Sequence, residues 1–128
     1  MRVQRQVDVV LQNHTQELLA IEDGLNVQGS WAAPGPPKTG AIVAKQGSGK
    51  WTSISTEEGI AAEGFIRFSC TKGYIQIHWR LPREADQFEF AVHTPEEDIA
   101  FSVRVSGANY DFRVLLVTLL PVHKAAKK

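Results

Sequence analysis

Residues 65–82 read FIRFSCTKGYIQIHWRLP, and the alternation within this stretch decides the fold class. From Ile75 to Trp79 every second residue is a large apolar one, and a mostly apolar run at 65–68 precedes a Lys-Gly pair at 72–73. A period of two is typical of strands that are buried on one face, and a Lys-Gly pair between two such runs indicates a tight turn. The stretch therefore predicts two antiparallel strands joined by a hairpin.

The same alternation recurs along the chain, with Gly, Pro and Asp between the runs. The other alternating runs are residues 7–11, 88–92, 101–105 and 110–114. Residues 106–109 predict a second hairpin turn, the Pro-rich segment 32–40 an exposed loop, and only 16–21 shows a trace of helical character. Short strands at this spacing favour an all-β, single-domain antiparallel β-sandwich over residues 1–128, with 122–128 as a disordered basic tail.

Composition excludes several functional classes. Fourteen Lys and Arg residues balance fourteen Asp and Glu residues, so no net charge favours a nucleic acid partner. The single cysteine, Cys70, permits neither an internal disulfide nor a cysteine-based zinc cluster. No apolar run approaches the 20 or so residues of a membrane-spanning helix. Because the N-terminus lacks the apolar core of a signal peptide, we expect synthesis in the cytoplasm, with any export by a non-classical route and membrane association at the target.

No motif indicates catalysis, and the prediction is a protein that is not an enzyme, with no catalytic residues, cofactor or metal. The Gly-rich segment 46–50 is similar to a phosphate-binding loop, but Ala44 and Trp51 stand where that motif requires Gly and Ser or Thr. Residues 84–98 hold six of the fourteen acidic residues. This segment is interpreted either as solvated loops beside a strand or as an acidic recognition face.

The three tryptophans are the most informative side chains. Trp31, Trp51 and Trp79 each fall near a predicted strand end beside a loop. Such positions suit a membrane interface, stacking on a sugar or a protein contact, and packing in the core near a sheet edge is the alternative.

An ordered set of motifs over residues 7–92 resembles the aegerolysin family. The set comprises an opening strand ending in Asn (9–15), a small-residue-plus-Trp segment (29–31), a Gly- and Glu-containing turn entering a strand (61–65) and an aromatic segment ending in Pro (74–82). The length of the chain also fits that family.

The resemblance implies a β-sandwich that binds membrane sphingolipid, with or without sterol, as in family members that recognise sphingomyelin with cholesterol or ceramide phosphoethanolamine. Some members are cytolysins that form pores with a larger perforin-type partner. Trp31 and Trp79 match positions at which the family contacts lipid, and Tyr74 is expected beside them at the interface. Glu63 corresponds to an acidic residue that would recognise a choline or ethanolamine cation, and Arg80 is placed to pair with the phosphate.

Two other functions remain open at this point. A lectin-like glycan- or protein-binding module on the same sandwich would use the tryptophans, Trp51 included, for stacking, with Asp86 and Gln87 as hydrogen-bonding groups. A structural protein would use the apolar run at 114–120 as the interface of a homo-oligomer.

Overall fold

Strands make up most of the computed structural model of the protein, which describes residues 2–122. The strands are β1 (Arg5–Asn13), β2 (Leu19–Gln28), β3 (Ser30–Trp31), β4 (Ile42–Val43), β5 (Ser48–Ser55), β6 (Ala62–Cys70), β7 (Gly73–Leu81), β8 (Glu89–His93), β9 (Ile99–Asn109) and β10 (Phe112–Pro121). A short 3₁₀ helix, Ala85–Gln87, connects β7 to β8. Over the described residues no helix is long and apolar enough to cross a membrane.

The strands form two five-stranded sheets, as the all-β sandwich prediction requires. One sheet has the order β3-β5-β1-β10-β9 and the other β4-β2-β6-β7-β8. Every strand pair is antiparallel except β1 with β10, which run parallel. A parallel pair needs a long connection, and here most of the chain separates the first strand from the last.

Alternation places the core between the sheets. In β1, β6 and β7 every second side chain is buried, and these side chains meet across the sandwich. The core comprises Val7, Val9, Leu11, Leu19, Ile21, Val43, Ala62, Ile66, Phe68, Ile75, Ile77, Trp79, Leu81, Ile99, Leu115, Val117 and Leu119. The predicted hairpin is confirmed, but its turn lies one residue earlier, at Thr71 and Lys72, because Gly73 pairs with Cys70 and begins β7.

The last hairpin differs from the prediction. Residues 106–109 continue β9, and the turn lies at Tyr110 and Asp111. The buried side chains of β10 are Leu115, Val117 and Leu119, so Phe112 and Val114 lie on the outward phase rather than in the core. The register shift in this hairpin places its extra residue in β9, between Ser106 and Asn109, and leaves the phase of β10 unchanged.

The segment from 16 to 21 also differs, since its end belongs to strand β2 rather than to a helical turn. The Pro-rich segment 32–40 is free of strand structure, as predicted, although Pro37 within it is buried. The predicted disordered tail lies, apart from Val122, outside the described residues. Val122 itself donates a backbone hydrogen bond to the carbonyl of Asp98 (3.3 Å).

Candidate functional site

The hairpin register brings two predicted site residues together. Glu63 on β6 lies directly opposite Arg80 on β7, and Gln28 on β2 lies opposite Glu63 on its other side. All three side chains project from the outer face of their sheet, because the alternate residues of β6 and β7 fill the core. Three neighbouring strands thus contribute polar groups to one point near the end of the sheet.

The Glu63 carboxylate is held by three side chains. Gln28 Nε2 donates a hydrogen bond to Oε1 (3.2 Å), Arg80 Nε lies 3.6 Å from the same oxygen, and His78 Nε2 lies 3.1 Å from Oε2. The Glu63 side chain is 14% exposed, whereas those of His78 and Arg80 are each more than one third exposed. The Glu63 carboxylate is therefore partly shielded from solvent, whereas the Arg80 guanidinium is open to it. Because the Glu63–Arg80 pair is not fully buried, solvent weakens the attraction between the two charges.

Apolar side chains border this charge pair. Phe65 pairs with Leu25 on one side and with His78 on the other, so all three project from the same outer face. Leu25 is 52% exposed and Val27, at the adjoining bulge, is 54% exposed. We call Leu25, Val27, Glu63, Phe65, His78 and Arg80 the headgroup patch. It combines exposed apolar surface with one acidic and one basic group.

Tyr74 lies on the same outer face but at the far end of β7. It pairs with Ser69, six residues along the strand from Arg80, which corresponds to about 20 Å. The Arg67 guanidinium lies 3.7 Å from the centre of the Tyr74 ring, and the His93 ring stacks on it at 4.3 Å. Two groups this close must occupy opposite faces of the ring. A ligand could stack on Tyr74 only by displacing one of them, so the structure does not unite Tyr74 with the patch.

Trp79 lies on the opposite face of β7 from Arg80 and is completely buried. Gly64 faces it, and a Cβ there would lie 3.0 Å from Trp79 Cζ2 and 2.5 Å from the carbonyl oxygen of Leu25. The indole Nε1 has no hydrogen-bond partner among the described residues. Complete burial does not fit the expected direct contact with a headgroup, because the headgroup would have to enter the core. Trp79 is a packing residue beneath the patch.

Trp31 lies at the rim of the core. Its ring meets that of Trp79 edge-on at 5.8 Å, and the residue is half-buried on the edge strand β3. With the Asn26 amide oxygen facing it, Asn26 accepts hydrogen bonds from Trp31 Nε1 (3.2 Å) and from its backbone N–H (3.0 Å), while the amide nitrogen donates to Ser53 Oγ (2.7 Å). A fixed, half-buried indole leaves part of its ring available for an outside contact.

The two additional predicted residues lie elsewhere. Trp51 is in the middle of β5, points between the sheets and packs against Phe68 at 5.7 Å. Asp86 lies on the exposed 3₁₀ helix that follows β7. Neither is among the residues that contact Glu63.

Sequence reasoning missed part of the patch. Neither His78, on the polar phase of the alternation at 75–79, nor Phe65, in the apolar run at 65–68, is among the site residues that the sequence predicts. The observed Cys70–Gly73 pair places Phe65 opposite His78 and Glu63 opposite Arg80. A turn at 72–73, as predicted, would have given a different register. Leu25, Val27 and Gln28 carried no signal for the site, because the strand that the sequence predicts before Trp31 has no predicted partner strand.

Comparison with known proteins identifies a similar fold. Neither a family model nor a curated protein matches the sequence. Among solved structures, the chain is similar to the crystal structure of the lipid binding protein Nakanori, with a TM-score of 0.73 and 12% sequence identity. The match covers 92% of this chain and 72% of Nakanori. At this identity the likeness establishes a shared fold.

Proposed function

We propose that the protein binds membrane lipid through the headgroup patch, as a non-enzymatic recognition protein. The observation that carries the proposal is the Glu63–Arg80 pair beside the exposed side chains of Leu25 and Val27. A zwitterionic headgroup carries one cation and one phosphate, which an acid and a base at neighbouring positions can meet. Apolar side chains beside them suit the boundary between headgroups and acyl chains.

Binding would proceed by an exchange of ion pairs. Arg80 is joined to Glu63 by a 3.6 Å contact, longer than a good hydrogen bond, and its side chain is open to solvent. It can turn to a phosphate, which guanidinium groups bind with two parallel hydrogen bonds. The released Glu63 carboxylate would then face the choline or ethanolamine cation, while Gln28 and His78 hold it in place. Charges exchanged in this way leave no group unpaired.

The shared fold with a lipid binding protein supports lipid as the ligand class. The choice of a sphingolipid, with or without sterol, rests on the resemblance to aegerolysins and on the zwitterion that the patch would accommodate. The same resemblance is the basis for a cytolysin component that acts with a larger perforin-type partner, and for association with the target membrane. The sphingolipid ligand, the perforin-type partner and the membrane association are therefore part of what we propose.

Co-sedimentation with liposomes tests it. The vesicles would contain phosphatidylcholine alone, sphingomyelin with cholesterol, or ceramide phosphoethanolamine with cholesterol. We expect pelleting with at least one sphingolipid mixture, and roughly tenfold weaker binding for Glu63→Gln, the loss typical of one charged hydrogen bond. The matched control is Glu97→Gln, an exposed acid in the loop after β8. No pelleting with any mixture, or equal binding by the two variants, would refute the patch as a lipid site.

A further inference from the structure

Three features of the sequence that the headgroup patch does not use meet in one cleft. The Pro-rich segment 32–40, the Gly-rich segment 46–50 and Trp51 all contribute to a cavity of about 330 Å³. Its lining includes Pro34, Pro36, Lys38, Ile42, Lys50 and Trp51. None of these residues belongs to the headgroup patch, so the cleft is a separate feature.

The path of the chain explains the cleft. Strand β3 belongs to one sheet and β4 to the other, so the Pro-rich segment between them must cross the side of the sandwich. It is anchored there by Pro37, whose ring lies 2.7 Å from where a Cβ on Gly24 would be. Proline restricts the backbone, so the wall that this segment forms is stiff before any ligand arrives.

Trp51 forms an aromatic surface in the cleft. A Cβ on Gly49 would lie 2.5 Å from Trp51 Cη2 and 3.0 Å from Cζ2, so the six-membered ring lies across the Gly49 backbone. The indole also contacts the Phe68 ring of the opposite sheet, at a centroid distance of 5.7 Å and a tilt of 55°. The indole can pack against the backbone of β5 only because Gly49 has no side chain. The part of the indole that lines the cleft beside the Pro-rich segment offers apolar surface to a small ring.

The charged groups of the cleft are basic. Lys50 Nζ is 3.8 Å from Asp8 Oδ2 and its side chain is 62% exposed. Lys38 is exposed, and within residues 2–122 no carboxylate lies within ion-pair distance of its amino group. Among the described residues that line the cleft, none is acidic. Its charge is therefore suited to an anion.

We propose that this cleft binds a carboxylated sugar ring, either of a free glycan or of a glycolipid headgroup. The exposed part of the Trp51 ring would contact the apolar face of a pyranose, the carboxylate would meet Lys38, and the hydroxyl of Ser48 would be available to the sugar hydroxyls. The volume is at the lower end of the range for small-molecule sites, about 300–1,000 Å³, which fits a single ring better than a long acyl chain.

Indole N–H signals in a ¹H–¹⁵N spectrum of the whole chain test the proposal directly. The Trp51 signal is assigned by its loss in Trp51→Phe, and the protein is titrated with glucuronate, with N-acetylneuraminate and with glucose. We expect Trp51 to shift with at least one acid and to shift much less with glucose. Lys38→Gln should bind the acid roughly fivefold more weakly, as for one exposed ion pair, whereas Lys45→Gln outside the cleft should not differ from the parent.

Lys38 is exposed, so Lys38→Gln is a test that does not depend on the packing of Trp51. An unmoved Trp51 signal, an equal shift with glucose, or equal affinities of the two lysine variants would each overturn the proposal.

Phosphatidylcholine vesicles that contain a sialylated ganglioside or glucosylceramide then distinguish a glycolipid headgroup from a free glycan as the source of the sugar. Selective binding to the sialylated vesicles identifies a glycolipid headgroup, and binding of the free acid alone identifies a soluble glycan. Glu63→Gln should leave the Trp51 shift intact, which distinguishes this site from the headgroup patch.

Discussion

Replacing Trp79 by alanine separates its two possible roles, packing in the core and contact with a ligand. The side chain is fully buried and meets Trp31 edge-on. Truncating a buried Trp typically costs about 3–5 kcal/mol, out of a total stability of about 5–15 kcal/mol for a domain. At about 3–5 °C per kcal/mol for a chain of this length, the melting temperature should fall by about 10–20 °C.

The Trp79→Phe variant refines this prediction. It keeps an aromatic ring in the core but removes the indole N–H, which has no partner within the described residues. A buried unpaired donor costs about 1–3 kcal/mol, and the smaller ring leaves a cavity of comparable cost. The two effects oppose each other. The melting temperature of Trp79→Phe should therefore lie much closer to that of the parent than the melting temperature of Trp79→Ala does.

The assay combines thermal unfolding followed by circular dichroism with liposome binding well below the melting temperature. We expect folded Trp79→Ala to retain lipid binding, because the headgroup patch lies on the opposite face of β7. Trp31→Ala, at the rim, should lose only about 1–2 kcal/mol of stability, from one aromatic contact and one hydrogen bond, and should weaken binding if lipid reaches the indole. A melting temperature of Trp79→Ala within about 3 °C of the parent would refute the reasoning about the core.

Two further changes test how the chain is held together. Arg5 is buried, and its guanidinium donates hydrogen bonds to the carbonyls of Pro82 (3.0 Å), Ile60 (3.0 Å) and Glu57 (3.1 Å). In Arg5→Lys one amino group replaces a planar fork, so we expect a loss of about 3 kcal/mol in urea unfolding, and an unchanged midpoint would contradict this account. Gly107 has φ +143°, and a Cβ there would lie 2.0 Å from the Phe112 carbonyl oxygen. Gly107→Ala should speed amide hydrogen exchange in the β9–β10 hairpin, at a cost of at least about 1–3 kcal/mol, whereas exchange equal to the parent's would show that the hairpin tolerates a side chain there.

Local patterns determined the fold class and most of the core. Val7, Val9 and Leu11, like Ile75 and Ile77, alternate with polar residues, and this signal needs only neighbouring positions. It failed in two strands. In β2 the alternating leucine and valine face outward, and in β10 the apolar Phe112 and Val114 lie on the outward phase, so apolar alternation alone did not identify the inner face.

The candidate sites divide in the same way. Glu63 and Arg80 belong to one hairpin, so the sequence by itself determined that their strands pair, but the register that places them opposite each other required the turn at 71–72 that the structure shows. Only the tertiary structure decided that Trp79 is buried, that β2 adds apolar surface to the patch and that the Pro-rich segment lies against Trp51. Burial and the meeting of distant segments depend on how the two sheets pack. Sheet packing is set by contacts between residues far apart in the chain, which no local pattern records.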